Sequence, residues 1–491
     1  MLDQLPAIQI VLPLLAAPLC VLLRRRIPLL GFALLVAWTN FGVSVALLRQ
    51  VLVEGPIRYA LGGWAPPWGI EYHVDPLSGF VLMFVSFIGA VTLTYAPRSI
   101  AEEIPDDREH LFIAAFLLCL TGLLGIVITG DLFNVFVFLE ISALSSYVLI
   151  AMGRDRRALN AAFQYLVLGT IGATFILIGI GLLYMMTGTL NMADMAVQLP
   201  AVFGTRTVRA ALGFLSIGLF IKMALFPLHG WLPNAYSYAP SLVTAFLAAT
   251  ATKVAVYIML RFAFSVGDVQ MEFGASGLGA IMMTLSLIGI VVASTVAIFQ
   301  SDVKRLLAYS SVAQIGYMVL GISFGSVSGL TATIVHLFNH ALTKGGLFLA
   351  MGCFAYVAGG VRLKNLEGIG KTMPWTTFAW VLGGLSLVGV PLTAGFVSKV
   401  YLIRGALEVG FWPVAALILL SSLLALVYVW RVVEVAYFRA PPDGAQRREA
   451  PLSMLLPTWA LIGATIVFGI WTGASAGIAR RAAEALLKVA P

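Results

Sequence analysis

Charge is what this chain has least of. Of its 491 residues only 11% are Asp, Glu, Lys or Arg, against 60% hydrophobic, and the mean hydropathy is +0.98. That shortage excludes a soluble globular protein and points to serial membrane spans. Cysteine is scarce too. Cys20, Cys119 and Cys353 stand singly inside apolar runs with no CxxC or Cys/His spacing, so they read as small core residues, not disulfides or iron–sulfur ligands. No ten-residue segments alternate with period two, which excludes an outer-membrane barrel. No Gly-rich loop follows a strand, so no dinucleotide site is expected and neither a cofactor nor a metal is assigned. The longest loops, near 54–76 and 187–208, are too short for a soluble domain. The first apolar run, Ile8 to Leu23, has no basic residue before it and Arg24, Arg25 and Arg26 after it. This is the reverse of a signal peptide, and a retained first helix is expected.

Long apolar runs are what the chain has in plenty. A span needs about 20 apolar residues. By that measure the sequence predicts about fourteen, near 5–23, 28–50, 77–97, 111–129, 131–152, 161–187, 209–228, 241–264, 275–299, 305–323, 328–358, 376–404, 412–437 and 456–476. The expected fold is an all-α polytopic membrane protein forming a single membrane domain over residues 1–491. The net charge of +8 lies mostly in short loops, where it reads as an orientation signal and not as a nucleic-acid surface. Taken alternately, one side receives Arg24–Arg26, Arg98, Arg108, Arg154, Arg156, Arg157, Lys304, Arg305, Arg362, Lys364, Lys371, Arg439, Arg447 and Arg448. The other receives Arg58, Arg206 and Arg209 among Asp75, Asp194, Asp268 and Glu272. The bias puts the first set in the cytoplasm and both termini outside, with Arg480, Arg481 and Lys488 breaking the pattern.

A short set of ionisable residues remains at membrane depth: Glu140 in the fifth span, Lys222 in the seventh, Lys253 in the eighth, Lys344 in the eleventh and Lys399 in the twelfth. His336 and His340 precede Lys344 at intervals of four, so the three share one helical stripe. Even mild scales put a lysine at the bilayer centre at roughly 2.5–3.5 kcal/mol. A buried ammonium gives up its proton more readily than one in water, a nearby carboxylate opposes this, and histidine titrates near neutrality. A row of such groups suits proton transfer. One buried Lys–Glu pair could be a packing device, but four lysines, one glutamate and two histidines exceed what packing needs. Asp131, Asp302 and Glu434, near span ends, read as interfacial or loop-pairing groups. Two spans are interrupted. The seventh breaks at Pro227, Leu228, His229 and Gly230, with Lys222 before it; the twelfth breaks from Gly389 through Pro391 to Gly395, with Lys399 after it. Matched interruptions suggest two inverted repeats, helices 4–8 over 111–264 and helices 9–13 over 275–437. Helices 1–3 would occupy 1–110, and helix 14 with its tail 456–491. For His229, a structural hydrogen bond and a transport role both stay open.

At these residues the sequence resembles the antiporter-like subunits shared by respiratory complex I, membrane-bound hydrogenases and Mrp-type cation/proton antiporters. The resemblance covers nearly the whole chain and is carried by GDLFNVFVFLEISALSSYVLIA, KMALFPLHGWLPNAYSYAPS, DVKRLLAYSSVAQIGYM and HLFNHALTKGGLF. It implies fourteen helices with two inverted five-helix repeats, Glu140 paired with Lys222, Lys253 as a bridging lysine, His336 and His340 in a central polar axis, and Lys399 as the terminal group. It also implies hydrophobic partner subunits, of Mrp A/C or complex I type, in a bacterial or archaeal plasma membrane. The chain ends soon after its fourteenth span, so the branch with a long C-terminal lateral helix is not expected. Complex I's middle-type subunit usually has glutamate where Lys399 stands; lysine there resembles the D-type subunit of Mrp antiporters or the N-type subunit of complex I, and the wording of the fifth span looks closer to the D-type. The expected function is a proton-translocating subunit of a monovalent cation (Na+)/proton antiporter. The alternatives are a proton-pumping arm of an NADH–quinone oxidoreductase or hydrogenase, and a self-sufficient transporter of an organic solute. A sodium site would want several carboxylates, and Glu140 is the only clearly central acid, so sodium could cross elsewhere in the complex.

Overall fold

Apolar sequence in lipid must satisfy its own backbone, and helices do so within each segment. A computed structural model describes residues 2–23, 25–267, 277–442, 444 and 446–488. Arg24, Asp268 and Glu272, which entered the charge bias, lie outside the described residues.

Helices α1 (Leu5–Leu22) and α2 (Arg26–Glu54) pack on one flank, followed by a hairpin of β1 (Ile57–Ala60) and β2 (Glu71–Val74). The hairpin is antiparallel, with Ile57 opposite Val74 and Ala60 opposite Glu71; it is an addition to the all-α expectation. Helices α3 (Pro76–Glu103), α4 (Glu109–Ile128), α5 (Leu132–Ala151) and α6 (Arg157–Thr187) follow, then a short α7 (Met192–Val202) in the loop. The seventh span consists of α8 (Arg206–Met223) and α9 (Leu232–Tyr238); the eighth consists of α10 (Ser241–Ala249) and α11 (Ala251–Arg261), which continues into a π-helical turn at Phe262–Val266. The remainder is α12 (Leu278–Ile298), α13 (Val303–Ser323), α14 (Val327–Ala358), α15 (Ile369–Thr372), α16 (Pro374–Val388), α17 (Ala394–Glu408), α18 (Trp412–Phe438), α19 (Leu452–Ile470) and α20 (Thr472–Leu486).

Among the described residues twelve helices are long and apolar enough to cross a membrane. The expected spans outside that set are the seventh and twelfth, the two anticipated as interrupted. Helices α3, α4, α13 and the α10–α11 pair are buried nearly all round, whereas α1, α2, α6, α12, α18 and α19 leave much of their apolar surface exposed. Core helices can approach closely where a side chain is missing. A Cβ on Gly122 of α4 would stand 2.5 Å from the backbone nitrogen of Ser142 on α5.

The helix starts repeat a local geometry. Asp131 caps α5 through the Asn134 amide, and Asp302 caps α13 through the Arg305 amide. Leu132 N donates to Leu190 O and Met192 N to Gly130 O; Val303 N donates to Val361 O and Leu363 N to Ser301 O. Every number in the second set is 171 above its counterpart in the first. So α4–α5–α6 and α12–α13–α14 are tied by the same backbone lock. Asp131 and Asp302, read from sequence as interfacial or loop-pairing groups, thus serve as helix caps, and Glu434 lies 4.0 Å from Arg439 at the end of α18.

Candidate functional site

The first buried charge sits in the last turn of α8, where the carbonyl end of the helix favours a cation. Lys222 is buried, and its Nζ lies 3.7 Å from Oε1 of Glu140 on α5, longer than a direct hydrogen bond. The helix stops here because Ala224 takes a left-handed conformation at φ 59°, closed by Ala224 N to Ile221 O and Leu225 N to Phe220 O. The break therefore begins before Pro227 and Gly230, which lie within the non-helical segment it opens. Trp231 Nε1 also donates to the Ile221 carbonyl at 2.9 Å, and its ring stacks on Tyr165. A cavity of about 30 Å³ separates Lys222 from Ala251 and Ala255 of α11, with Ser142, Ser146 and Tyr165 as its polar lining. That is room for a water or two.

Lys253 stands one turn beyond an interruption the sequence did not announce. Thr250, at φ −123° and ψ −60°, divides α10 from α11. The Lys253 ammonium donates to the Ala248 carbonyl and to Thr252 Oγ1 at 3.2 Å. The interruption thus releases a carbonyl beside the charge that needs it.

Helix α14 is the hub, packing against α3, α10, α13, α16, α17, α19 and α20. Its stripe of His336, His340 and Lys344 is wholly buried. Lys344 Nζ donates to Leu307 O on α13 at 2.7 Å. The rings of His336 and His340 stack at 5.6 Å, and His336 Nδ1 lies 2.8 Å from Ser398 Oγ on α17. Among the described residues neither ring nitrogen of His340 has a protein partner. His340 lies in the field of Lys253 and Lys344, and His336 in that of Lys253 and Lys399.

The far end repeats the chemistry of the first break. Helix α16 ends with Gly389 left-handed at φ 86°, and Val390 N returns to Leu385 O. Lys399, in the second turn of α17, donates to the exposed Val388 carbonyl at 2.8 Å, to Leu387 O at 3.2 Å and to Ser422 Oγ at 2.8 Å. Its Nζ also lies 5.3 Å from the centre of the Tyr317 ring, which meets His336 edge-on. A Cβ on Gly389 would come 2.8 Å from Lys399 Cδ, so glycine there serves both the turn and the lysine. Pro391 lies between α16 and α17, and Gly395 in the first turn of α17 has its amide 3.2 Å from Ser386 Oγ.

The expected residues therefore gather in two stages: Glu140 with Lys222, and Lys253 with Lys344, His340, His336 and Lys399. His229 is apart from both, stacked on Phe226 and edge-on to Tyr309. Sequence reading passed over Tyr317, Ser398 and the buried Arg261, which pairs with Asp75. Arg261 had a signal: it falls inside the predicted eighth span, eight residues after Lys253. No group of three or more His, Cys, Asp or Glu among the described residues is placed to hold a metal.

Known proteins are similar in both sequence and fold. Residues 129–425 match the family model described as NADH:quinone oxidoreductase/Mrp antiporter, TM. The N-type subunit of an NADH-quinone oxidoreductase from Desulforudis audaxviator (strain MP104C) is 44% identical, covering 96% of each chain. The D-type subunit of a Na(+)/H(+) antiporter from Alkalihalophilus pseudofirmus is 30% identical over 87% of this chain and 85% of that one. Among solved structures, a chain of the archaeal membrane-bound sulfane sulfur reductase superposes with a TM-score of 0.91 at 32% identity, covering 99% of this chain and 98% of that one. A chain of the Mrp complex from Dietzia sp. superposes at 0.90 with 26% identity, covering 99% and 97%.

Proposed function

The chain belongs to the NADH:quinone oxidoreductase/Mrp antiporter membrane family, and on that premise we propose that it is the proton-translocating subunit of a multi-subunit membrane complex. The observation that carries this is the buried file itself. Glu140 and Lys222 form the first station, Lys253, Lys344, His340 and His336 the middle, and Lys399 the last. Lys222 lies at a helix break, and Lys253, Lys344 and Lys399 donate to backbone carbonyls, so each lysine can exchange a proton without a large backbone movement. The interrupted spans give the route its water, at Pro227 and Gly230 on one side and at Pro391 and Gly395 on the other. The common offset of 171 between the two backbone locks supports inverted repeats spanning helices 4–8 and 9–13. The loop-charge bias supports an outside location for both termini.

For the driving force, exchange of a monovalent cation such as Na+ is the first reading, resting on the wording of the fifth span. The second is a redox-driven complex, and the 44% identity to an oxidoreductase subunit against 30% to an antiporter subunit favours it. Partners that purify with the chain separate the two: flavin or iron–sulfur proteins would mark the redox complex, small hydrophobic subunits the antiporter.

The decisive test is Lys222→Ala. Proton-coupled transport measured in vesicles carrying the assembled complex is expected to vanish while assembly persists. Transport at the wild-type rate would overturn the proposal.

A further inference from the structure

The stripe on α11 continues past the bridging lysine. Lys253, Tyr257 and Arg261 stand at intervals of four on one helical face, and all three are buried. Arg261 closes a fork on the carboxylate of Asp75, with Nη2 to Oδ1 at 2.5 Å and Nη1 to Oδ2 at 2.7 Å. Its Nε donates to Tyr257 Oη at 2.8 Å, and that phenol donates in turn to Val127 O at 2.7 Å. On the other side of the pair lies a pocket of about 460 Å³ at the hairpin face, lined by Arg58, Glu71, His73, Asp75, Arg261 and Lys488 among others. Glu71 is fixed there by Asn191 Nδ2 at 3.0 Å and faces Arg58 at 3.7 Å. The chain immediately after Arg261 is the π-helical turn Phe262–Val266, a rare geometry common at functional positions.

We propose that Arg261 and Asp75 are a gate at the hairpin face, separating the polar pocket from Tyr257 and Lys253 when closed and opening a proton exit from the first half of the protein when parted. This rests on the proton-translocating reading above. While the fork is closed, Asp75 has both oxygens engaged and the Tyr257 proton is committed to Val127 O, so nothing on the hairpin side accepts a proton from Lys253. When the fork parts, the Lys253 proton goes to Tyr257 as the phenol passes its own to the freed Asp75 carboxylate. From Asp75 it leaves to His73, Glu71 or solvent in the pocket, and no other bond is made or broken.

A purely structural pair would stabilise the start of α3 and do nothing else, so the test reads proton leak. Asp75 also caps α3 through the Ser78 amide at 2.9 Å and is the carboxylate that takes the proton, so the test keeps it. The variant is therefore Arg261→Gln, which parts the fork and leaves the Asp75 carboxylate in place. In vesicles bearing the assembled complex with no exchangeable cation or electron donor, passive proton conductance is expected to rise several-fold. Adding Lys253→Ala should return it to the wild-type level. An unchanged conductance in the assembled Arg261→Gln variant overturns the gate, and so does a leak that survives Lys253→Ala. Should Arg261→Gln fail to assemble, Arg261→Lys keeps the charge but loses the fork; it is expected to leak several-fold, and wild-type tightness there overturns the gate. Failure of the proton-translocating reading is seen separately, in Lys222→Ala.

Discussion

An ammonium at membrane depth needs an acceptor fixed in advance, and three of the four lysines here use backbone carbonyls. Lys253 takes Ala248 O, Lys344 takes Leu307 O, and Lys399 takes Val388 and Leu387 O. Lys222 alone faces a carboxylate. Removing one partner of a fully buried pair costs roughly 3–5 kcal/mol. Because the Glu140 side chain keeps 27% exposure, Glu140→Gln should fall towards the lower end of that range. It should lower the melting temperature of the complex and slow proton-coupled transport by about tenfold or more, one decade being 1.4 kcal/mol. At the hairpin face, burial holds the His73 imidazole below its ordinary value, opposed by Asp75 and assisted by Arg261. A histidine kept neutral when folded but free to protonate when unfolded contributes stability above its unfolded value near 6.5, lost as pH falls below it. Between pH 7 and 5 the wild-type melting temperature should therefore fall further than that of His73→Gln. Parallel curves would refute this. Asp75 has the opposite character. Burial alone would raise its carboxyl, but Arg261 overrides that and holds it well below the usual carboxylate range, so its contribution survives to strongly acidic pH.

At the scale of elements, the helix breaks place three of the four lysines at membrane depth. The breaks after α8 and α16 use the same hydrogen-bond closure, yet one turns on Ala224 and the other on Gly389. A left-handed alanine costs about 1 kcal/mol, so Ala224→Gly is expected to be neutral to stabilising by about that amount. Gly389→Ala should be worse than the reverse change. It adds the same strain and sets a Cβ against Lys399 Cδ, an overlap worth about 1–3 kcal/mol. Its transport defect should approach that of Lys399→Ala, while Ala224→Gly stays active; equal activity of the two variants in vesicles would contradict this. The breaks after α8 and α16 were legible because Pro and Gly punctuate apolar runs. The break at Thr250 was not, since neither Pro nor Gly marks it and only the capture of Ala248 O by Lys253 reveals its use.

For the whole molecule, the exposed apolar faces of α1, α2, α6, α12, α18 and α19 suit lipid and other hydrophobic subunits. The structural relatives are chains of multi-subunit membrane complexes. The chain expressed alone is expected to insert but to show no proton-coupled transport in vesicles, with activity returning when partner subunits are co-expressed. Robust transport by the purified single chain would instead support the self-sufficient transporter.

The sequence alone determined the membrane class, the spans, the interruptions near Pro227 and Pro391, and the set of charges that have no place in lipid without a use. These are properties of neighbours along the chain: a run of apolar residues, a missing amide proton, a lysine among leucines. Tertiary structure decided which acceptor each charge meets. It set Lys222 against Glu140, Lys344 against α13, Lys399 against the end of α16, and Arg261 across 186 positions against Asp75. Those pairings depend on how helices far apart in sequence pack side by side, and no local pattern encodes that distance.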